Sequence, residues 1–246
     1  MALNRLYPRL GETTAEDLVG QLDLGSRAPD DRPYVVINMV STLDGRAATD
    51  GDTRGLGGDQ DRELFHLLRT AGDALLVGAG TARIERYAEA VKNDDLRARR
   101  ERHGLDPEQP TVIVSARLML PSDLPLLQAP GARVIIATAA DHDLEGVQAD
   151  VTYERTGDDL KLLLARLRAD HGVRSLICEG GPTLFSYMLA AGLVDELFLS
   201  LAPKLAGGGD EPTITTGPAL PEPVNADLVW LCEAEGELFT RWRIRR

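Results

Sequence analysis

The sequence predicts an α/β fold with a mostly parallel central sheet and helices on both of its faces. Short apolar runs rich in Val, Ile and Leu alternate along the chain with segments of helical periodicity. Glycine-rich joins separate two of these runs from the helices that follow them. Near the end of the chain, two further runs flank a short turn, which predicts a C-terminal antiparallel hairpin at one edge of the sheet.

The first 33 residues differ in character from the rest of the chain. Thr13 and Glu16 fit a capping box at the start of a short helix. The Gly, Pro and Asp residues of 25–33 are typical of a linker. We therefore expect residues 1–33 to be an N-terminal extension and linker, and residues 34–246 to form the main domain.

Within that domain the elements follow one another in a regular order. Strands are predicted at 35–40, 74–77, 111–114, 134–137, 151–154, 175–178 and 196–201. Helices are predicted at 60–70, 81–87, 94–102, 158–170 and 183–192. The closing hairpin is predicted at 227–233 and 237–244.

Composition and charge limit the function classes. The chain has 246 residues, of which 43% are hydrophobic and 27% charged, enough for a core without disulfides. Its net charge of −12 disfavours nucleic-acid binding. With no apolar run of membrane-spanning length and no signal core, we expect a cytoplasmic protein without membrane contact. Cys178 and Cys232 are predicted as buried thiols, and the four His supply no metal-ligand spacing, so no metal is expected.

Two strand-to-helix junctions are rich in glycine. One contains Gly78, Gly80 and Thr81, and the other runs from Glu179 to Thr183. A helix N-terminus offers free backbone N–H groups to an anion, and glycine allows a phosphate to approach the backbone. We interpret the pair as a pyrophosphate site; the alternative for each junction is a tight turn that packs a helix on the sheet.

Several common catalytic motifs are missing. Arg83 stands where the third glycine of G-x-G-x-x-G is required, and no P-loop sequence occurs. The ligand pattern of the zinc deaminases and the G-x-S-x-G elbow of the acyl hydrolases are also missing. Phosphoryl transfer through a P-loop, zinc deamination and serine hydrolysis are therefore disfavoured.

Four segments together resemble a known family. They are Asn38–Arg46, Leu67–Thr81, Glu179–Leu197 and Ala202–Gly209. They resemble the reductase domain of bacterial riboflavin biosynthesis, the pyrimidine reductase half of the bifunctional deaminase–reductase. The resemblance covers residues 34–244, and its motifs are specific to the superfamily more than to one substrate.

The resemblance implies a dihydrofolate-reductase-like fold that binds NADPH and pairs as a homodimer. Val40 and Ser41 are expected beside the nicotinamide, and Ser115 and Arg117 at the adenosine ribose. A hydroxyl and a guanidinium there suit a 2′-phosphate, although Arg117 is equally well read as a solvated loop residue. The residues implied for the two phosphate loops are Gly78, Gly80, Thr81, Glu85, Gly180, Gly181, Pro182, Thr183 and Leu184.

On the substrate side, the family pattern maps onto Thr53, Arg69 and Glu179. Glu179 ends a buried strand, where a carboxylate needs a partner such as the N–H of a heterocycle. Arg69 is expected to bind a substrate phosphate or to complement the dipole of its helix. Asp44 lies in a loop expected to be mobile, and its alternative is a turn-forming Asp before Gly. Asp44, Glu179 or water are the candidate proton donors, and a carboxylate in that role needs a raised pKa.

The sequence departs from the family after the first phosphate loop. An acidic pair, a proline and a phosphate-binding Arg are expected there, but residues 85–90 read Glu-Arg-Tyr-Ala-Glu-Ala. Arg97, Arg99 and Arg100 are candidates to replace the missing phosphate contact, with a solvated helix face as the alternative. Asp59 and Asp61 lie near the position of a pterin-binding carboxylate, but are equally typical of a helix N-terminus.

We therefore expect an NADPH-dependent reductase of 5-amino-6-(5-phosphoribosylamino)uracil that yields the ribitylamino product. A dihydrofolate or pterin reductase on the same fold is the second hypothesis. A non-catalytic NADP-binding domain is the third.

Overall fold

The computed structural model describes residues 2–49, 51, 53–91 and 93–245 of the chain. The strands are β1 (Ala2–Tyr7), β2 (Gly11–Thr14), β3 (Tyr34–Thr42), β4 (Ala74–Gly78), β5 (Thr111–Val114), β6 (Arg133–Ala137), β7 (Asp150–Glu154), β8 (Ser175–Cys178), β9 (Glu196–Ala202), β10 (Ala226–Ala234) and β11 (Glu237–Ile244). The α-helices are α1 (Ala15–Gly20), α2 (Asp59–Arg69), α3 (Ala79–Ile84), α4 (Asp94–Arg102), α5 (Leu160–Ala169) and α6 (Pro182–Ala190). The predicted α/β fold with a mostly parallel sheet is confirmed.

The chain forms two compact units. Unit 1 comprises Met1–Leu22, Val35–Leu68 and Pro182–Arg246. Unit 2 comprises Asp23–Tyr34 and Arg69–Gly181. The first 33 residues contribute to both units, and the expected boundary at residue 33 stays a prediction.

The sheet of unit 1 has the strand order β2-β1-β10-β11-β9-β3. Its strands pair antiparallel except for β3 and β9, which are parallel, with Val40 opposite Ser200. The predicted C-terminal hairpin is confirmed, and its turn contains Glu235 and Gly236 with φ angles of 53° and 81°. It does not lie at the edge of the sheet, because β1 and β2 extend the sheet beyond β10. Both termini thus belong to one sheet, because β1 pairs with β10.

The sheet of unit 2 has the order β8-β4-β5-β6-β7, and all of its pairs are parallel. Parallel strands end at the same edge of a sheet, so the residues that follow β4, β5 and β8 lie near one another. Gly78 is the last residue of β4, Ser115 follows β5, and Glu179 follows β8. An apolar cluster fills the unit beneath them and includes Val77, Ile113, Leu124 and the ring of Tyr87.

The N-terminal segment corrects two expectations. β1 and β2 were not predicted, because their polar sequences carry no apolar alternation and β1 pairs with a strand distant in sequence. The cap of α1 is Thr14 rather than Thr13, and its hydroxyl accepts the Asp17 N–H at 3.0 Å. Residues 23–34 are anchored in unit 2, where Leu24 is buried and the Tyr34 N–H donates to the Arg174 carbonyl.

Cys178 and Cys232 are free and buried, as predicted. Burial raises the pKa of the Cys178 thiol to about 12 and that of Cys232 to about 11. In the described part of the chain, no helix is long and apolar enough to span a bilayer.

Candidate functional site

The predicted site residues are divided between the two units. Unit 2 holds Arg69, Gly78, Gly80, Thr81, Glu85, Ser115, Arg117, Glu179, Gly180 and Gly181. Unit 1 holds Val40, Ser41, Asp44, Thr53, Pro182, Thr183 and Leu184.

In unit 2, Arg69 and Glu179 form a buried ion pair. Arg69 Nε donates to Glu179 Oε1 at 2.6 Å, and Arg69 Nη2 donates to Oε2 at 2.7 Å. Their side chains are only 9% and 3% exposed. This planar, two-bond geometry is the strongest form of the Arg–carboxylate pair. Two residues assigned separately to the substrate thus act on each other, across a sequence separation of 110.

Tyr87 is the third member of this cluster, and the sequence analysis did not single it out as a site residue. Its hydroxyl donates to Glu179 Oε2 and accepts from Arg69 Nη2 at 3.3 Å. The guanidinium carbon of Arg69 lies 5.5 Å from the centroid of the Tyr87 ring. The partner that a buried Glu179 requires is therefore supplied by the protein itself.

The cluster holds one cation, one anion and one neutral phenol. Burial, together with the charge of Glu179, raises the pKa of Tyr87 well above its usual value, so the phenol keeps its proton at neutral pH. Burial acts to lower the pKa of Arg69, but the attraction of Glu179 outweighs it and the pKa is raised.

The two glycine-rich turns lie against each other in unit 2. The Gly78 N–H donates to the Gly180 carbonyl at 2.7 Å. A side chain on Gly181 would place its Cβ 2.6 Å from Thr81 Oγ1, whereas open space surrounds the Cβ position of Gly80. Gly180 has a φ angle of 86°, which favours glycine. The exposed backbone of Gly80, with this free space, fits a group that must approach the main chain closely, as a phosphate does.

The helix after the first turn is short. α3 ends at Ile84, and Glu85 caps it, with its N–H donating to the Thr81 carbonyl at 2.9 Å. The predicted continuation of this helix to Tyr87 is wrong because Arg86 adopts a left-handed conformation with φ 49°. That turn brings Tyr87 back into the core of the unit.

After β5, a tight turn separates Ser115 from Arg117. Ser115 is buried, and its carbonyl accepts the Leu118 N–H at 2.9 Å. Arg117 is exposed. The turn therefore presents the guanidinium outward at the end of the parallel strands, and its predicted role at a ribose phosphate stays a prediction.

In unit 1, Val40 and Ser41 lie near the end of β3. Ser41 is buried, and its hydroxyl donates to the Thr42 carbonyl at 3.1 Å. Pro182, Thr183 and Leu184 form the first turn of α6, with Thr183 exposed and Leu184 buried. Their predicted cofactor contacts stay predictions.

Asp44 does not meet the condition for a proton donor. Its carboxylate accepts hydrogen bonds from the Thr42 hydroxyl and from the backbone N–H groups of Gly207 and Ala206, the last two at 2.6 and 3.2 Å. These donors lower the pKa of Asp44 to about 2, so the exposed carboxylate is ionised at neutral pH. A general acid requires a raised pKa, and Asp44 instead organises a turn and a neighbouring loop.

The segment expected to be mobile is fastened to the loop at 204–212. Arg46 Nη1 donates to the Glu211 carbonyl at 2.6 Å, and the Leu43 N–H donates to the Lys204 carbonyl at 2.8 Å. Lys204 Nζ donates in return to the Leu56 carbonyl at 2.9 Å. Thr53 is exposed within this segment, and the Leu56 N–H donates to its carbonyl.

The arginines of α4 follow neither of the expected alternatives. Arg100 is fully buried, and its guanidinium donates to the carbonyls of Gly72 and Asp106 at 2.6 and 2.7 Å. Arg99 is also buried, and its Nε donates to the Thr70 hydroxyl at 2.9 Å. These two side chains therefore bind the connection that follows α2. They form neither a solvated helix face nor an exposed phosphate contact. Arg97 is partly exposed, and it pairs with Glu108 at 2.9 Å.

Asp59 and Asp61 also differ from each other. Asp59 forms an exposed pair with Arg62. Asp61 accepts from the Ser200 hydroxyl, and burial raises its pKa. Burial likewise raises the pKa of Glu237, which accepts the Gly58 N–H at 3.1 Å. The nearby charge of Asp61 also raises the pKa of Glu237, a residue of β11 that the sequence analysis did not connect with α2.

The described residues contain no group of three or more His, Cys, Asp and Glu side chains placed to hold a metal ion.

Comparisons with known proteins identify the family. The model of the RibD C-terminal domain matches residues 33–237. A 2,5-diamino-6-ribosylamino-4(3H)-pyrimidinone 5′-phosphate reductase of Methanothermobacter thermautotrophicus is 34% identical over 202 residues, covering 79% of this chain and 89% of the relative. The protein of the same name from Archaeoglobus fulgidus is 31% identical over 192 residues, covering 76% and 87%. The riboflavin biosynthesis protein RibD of Escherichia coli is 29% identical, but only 49% of its length is matched.

Solved structures agree on the fold. A pyrimidine reductase-like protein from Corynebacterium diphtheriae superposes with a TM-score of 0.78 at 24% identity, covering 95% of this chain and 100% of that one. The bifunctional deaminase and reductase of Thermotoga maritima gives a TM-score of 0.70 at 23% identity, covering 87% and 57%. The resemblance inferred from the motifs is therefore confirmed, and the chain belongs to the RibD C-terminal domain family.

Proposed function

We propose that this chain is an NADPH-dependent reductase of a phosphorylated ribosylaminopyrimidine, which it converts to the ribitylamino product of riboflavin biosynthesis. Membership of the RibD C-terminal domain family carries this proposal. The buried Arg69–Glu179 pair, next to two glycine-rich turns in unit 2, supports it.

The substituent at C2 of the pyrimidine distinguishes two substrates within this proposal. The sequence analysis favours 5-amino-6-(5-phosphoribosylamino)uracil, which carries an oxo group there. The two archaeal relatives are named for the 2,5-diamino compound, which carries an amino group. Both rings bring N–H donors to a carboxylate acceptor such as Glu179, so both belong in the assay.

The residues of this chain have three tasks in the reaction. Backbone N–H groups at Gly80 and Thr81 bind the phosphates of the cofactor, with Arg117 at the 2′-phosphate. Glu179, held by Arg69, orients the pyrimidine ring through its N–H groups. When bound, NADPH supplies a hydride to C1 of the opened ribosyl group, and alignment with exclusion of water is the contribution of the protein.

The reaction also needs one proton for each hydride. The lowered pKa of Asp44, about 2, makes its carboxyl a poor source of that proton. Glu179 already acts as the acceptor of three hydrogen bonds from Arg69 and Tyr87. We therefore assign the proton to water.

NADPH oxidation, followed by the absorbance of the reduced nicotinamide, tests the proposal. The purified chain should consume NADPH with one or both pyrimidines and release the ribitylamino product. Turnover of dihydrofolate alone would replace the proposal with the pterin reductase. NADPH binding without turnover of any of these substrates would leave only a binding domain.

We further propose that the working enzyme is a cytoplasmic homodimer, as the family resemblance implies. Light scattering on the purified chain should give twice the subunit mass of 26.7 kDa. A particle of one subunit mass would reject the dimer.

A further inference from the structure

Tyr87 lies in the stretch where this sequence departs from the family pattern, and its hydroxyl reaches the predicted substrate carboxylate. We propose that Tyr87 is a positioning residue that fixes the Glu179 carboxylate for recognition of the pyrimidine ring. The inference rests on the proposed function. It adds to that function a residue to which the family resemblance gave no role.

The backbone of Tyr87 is fixed from both sides. Its N–H donates to the Ala82 carbonyl at 3.0 Å, and its carbonyl accepts the Leu126 N–H at 2.9 Å. The left-handed turn at Arg86 produces this reversal, and the Arg86 side chain is held by Asp123 at 3.2 Å. The ring then packs into the apolar cluster of unit 2. Tyr87 therefore reaches Glu179 from a fixed base.

Arg69 approaches the same carboxylate from a second fixed base. Gln109 Nε2 donates to the Arg69 carbonyl at 2.7 Å and to the Gly72 carbonyl at 2.8 Å. Arg100 holds the Gly72 carbonyl at 2.6 Å. The Arg69 guanidinium and the Tyr87 phenol, both anchored, thus restrict the rotation of the Glu179 carboxylate.

The donors are distributed unequally over the two oxygens of Glu179. Oε2 accepts from both Arg69 Nη2 and the Tyr87 hydroxyl, whereas Oε1 accepts from Arg69 Nε. A carboxylate oxygen accommodates about two donors. The hydroxyl of Tyr87 therefore occupies Oε2 and directs a ring N–H of the ligand to Oε1.

Loss of the hydroxyl should affect the pyrimidine and not the nicotinamide cofactor. In Tyr87→Phe, Glu179 loses one charge-assisted bond, which corresponds to a loss of about ten- to hundredfold in kcat/KM for the pyrimidine. The loss should appear mainly in KM, with the Kd for NADPH unchanged.

Tyr153→Phe is the matched control. Its hydroxyl also lies in unit 2 and accepts the Leu144 N–H at 2.8 Å. Removal of that hydroxyl tests the general cost of losing a tyrosine hydrogen bond and should leave kcat/KM within about twofold of the wild type.

A double-mutant cycle separates positioning from a structural effect. If Tyr87 acts through Glu179, Tyr87→Phe should cost less than about threefold when Glu179 is already Gln. An equal loss in both backgrounds, or a loss no larger than in Tyr153→Phe, would overturn the inference. Inactivity of the wild type with both pyrimidines would instead reject the proposed function.

A second variant covers the case that Tyr87→Phe does not fold. Tyr87→4-aminophenylalanine keeps an N–H donor at the para position that the hydroxyl occupies, and folding is followed by circular dichroism. Its KM for the pyrimidine should stay within about tenfold of the wild type. A KM as high as that of Glu179→Gln in the folded 4-aminophenylalanine variant would reject the positioning role.

Discussion

Two carboxylates, Glu179 in unit 2 and Asp44 in unit 1, each accept three hydrogen bonds in opposite surroundings. Glu179 is buried, and a guanidinium supplies two of its three donors. Asp44 is exposed, and its donors are a hydroxyl and two backbone N–H groups without charge. The buried carboxylate depends on one cation, whereas the exposed one depends on the shape of a turn. The same number of bonds therefore has very different consequences when one donor is lost.

The largest expected effect follows from removing the cation. Arg69→Met leaves Glu179 buried without a counter-charge, which should lower the free energy of unfolding by about 3–5 kcal/mol. Urea unfolding monitored by circular dichroism measures this change. Arg62→Met is the control, because its pair with Asp59 is exposed at 64% and 67% and should contribute less than about 1 kcal/mol.

Replacing the whole cluster sharpens this result. The triple variant Arg69→Met, Glu179→Leu, Tyr87→Phe removes every polar group that needs a partner. Most of the stability lost in Arg69→Met should return, because apolar side chains of similar volume can replace a buried pair at little cost. A triple variant as unstable as Arg69→Met would show that steric packing of the arginine stem, and not its charge, stabilises unit 2.

For Asp44 the expected effect is local. Asp44→Ala removes the acceptor of the Ala206 and Gly207 N–H groups, so their hydrogen exchange should accelerate by about tenfold with global stability nearly unchanged. Exchange resolved by residue in NMR measures it. If both amides were protected in the variant as strongly as in the wild type, the proposed anchoring of the loop would be contradicted.

The pH dependence of the same loop follows from the lowered pKa of Asp44. Its value of about 2 lies below the usual 3.8, so the ionised form is favoured by folding. The contribution is complete above pH 3.8 and is lost as the pH falls through 2. Protection of the Gly207 amide should therefore persist at pH 4 and weaken toward pH 2, relative to amides that do not contact Asp44.

The smallest expected effect is at Asp61, where the change of stability with pH has the opposite sign to that at Asp44. Burial raises its pKa, so its protonated form is favoured by folding, and that stability is lost as the pH rises through the raised pKa. Asp61→Asn should therefore gain stability relative to the wild type between pH 4 and pH 7, as measured by urea unfolding. Asp59→Asn is the exposed control. A wild type that gains relative to Asp61→Asn over this range would contradict the assignment.

The elements that could be predicted from the sequence are those with a local signal. β4, β5 and β8 are short apolar runs followed by turns, and their positions agree with the prediction within one residue. α4 was predicted with the bounds that the structure shows. The burial of the Arg99 and Arg100 side chains was not predicted. An arginine-rich helix is typically solvated, and nothing local indicates that carbonyls of a distant connection will bind these side chains.

The same contrast holds for the candidate site. The glycine-rich turns and Glu179 are visible as motifs at strand ends. Tyr87 is not, because its link to Glu179 spans 92 residues and depends on the reversal at Arg86. Sequence therefore identifies the groups that follow strands, whereas partners brought in from other elements require the folded chain.

The pairing of β1 with β10 has a consequence for synthesis of the chain. Asn4 and Glu233 are joined across 229 positions, so β1 can pair with β10 only after the whole of unit 2 has been synthesised. Unit 2 is encoded by one almost continuous stretch, and β4 to β7 pair with near neighbours in sequence. Local pairing proceeds faster than distant pairing, and nascent chains fold from what has already emerged. Unit 2 thus completes its strand pairing before β1 and β10 close the sheet of unit 1.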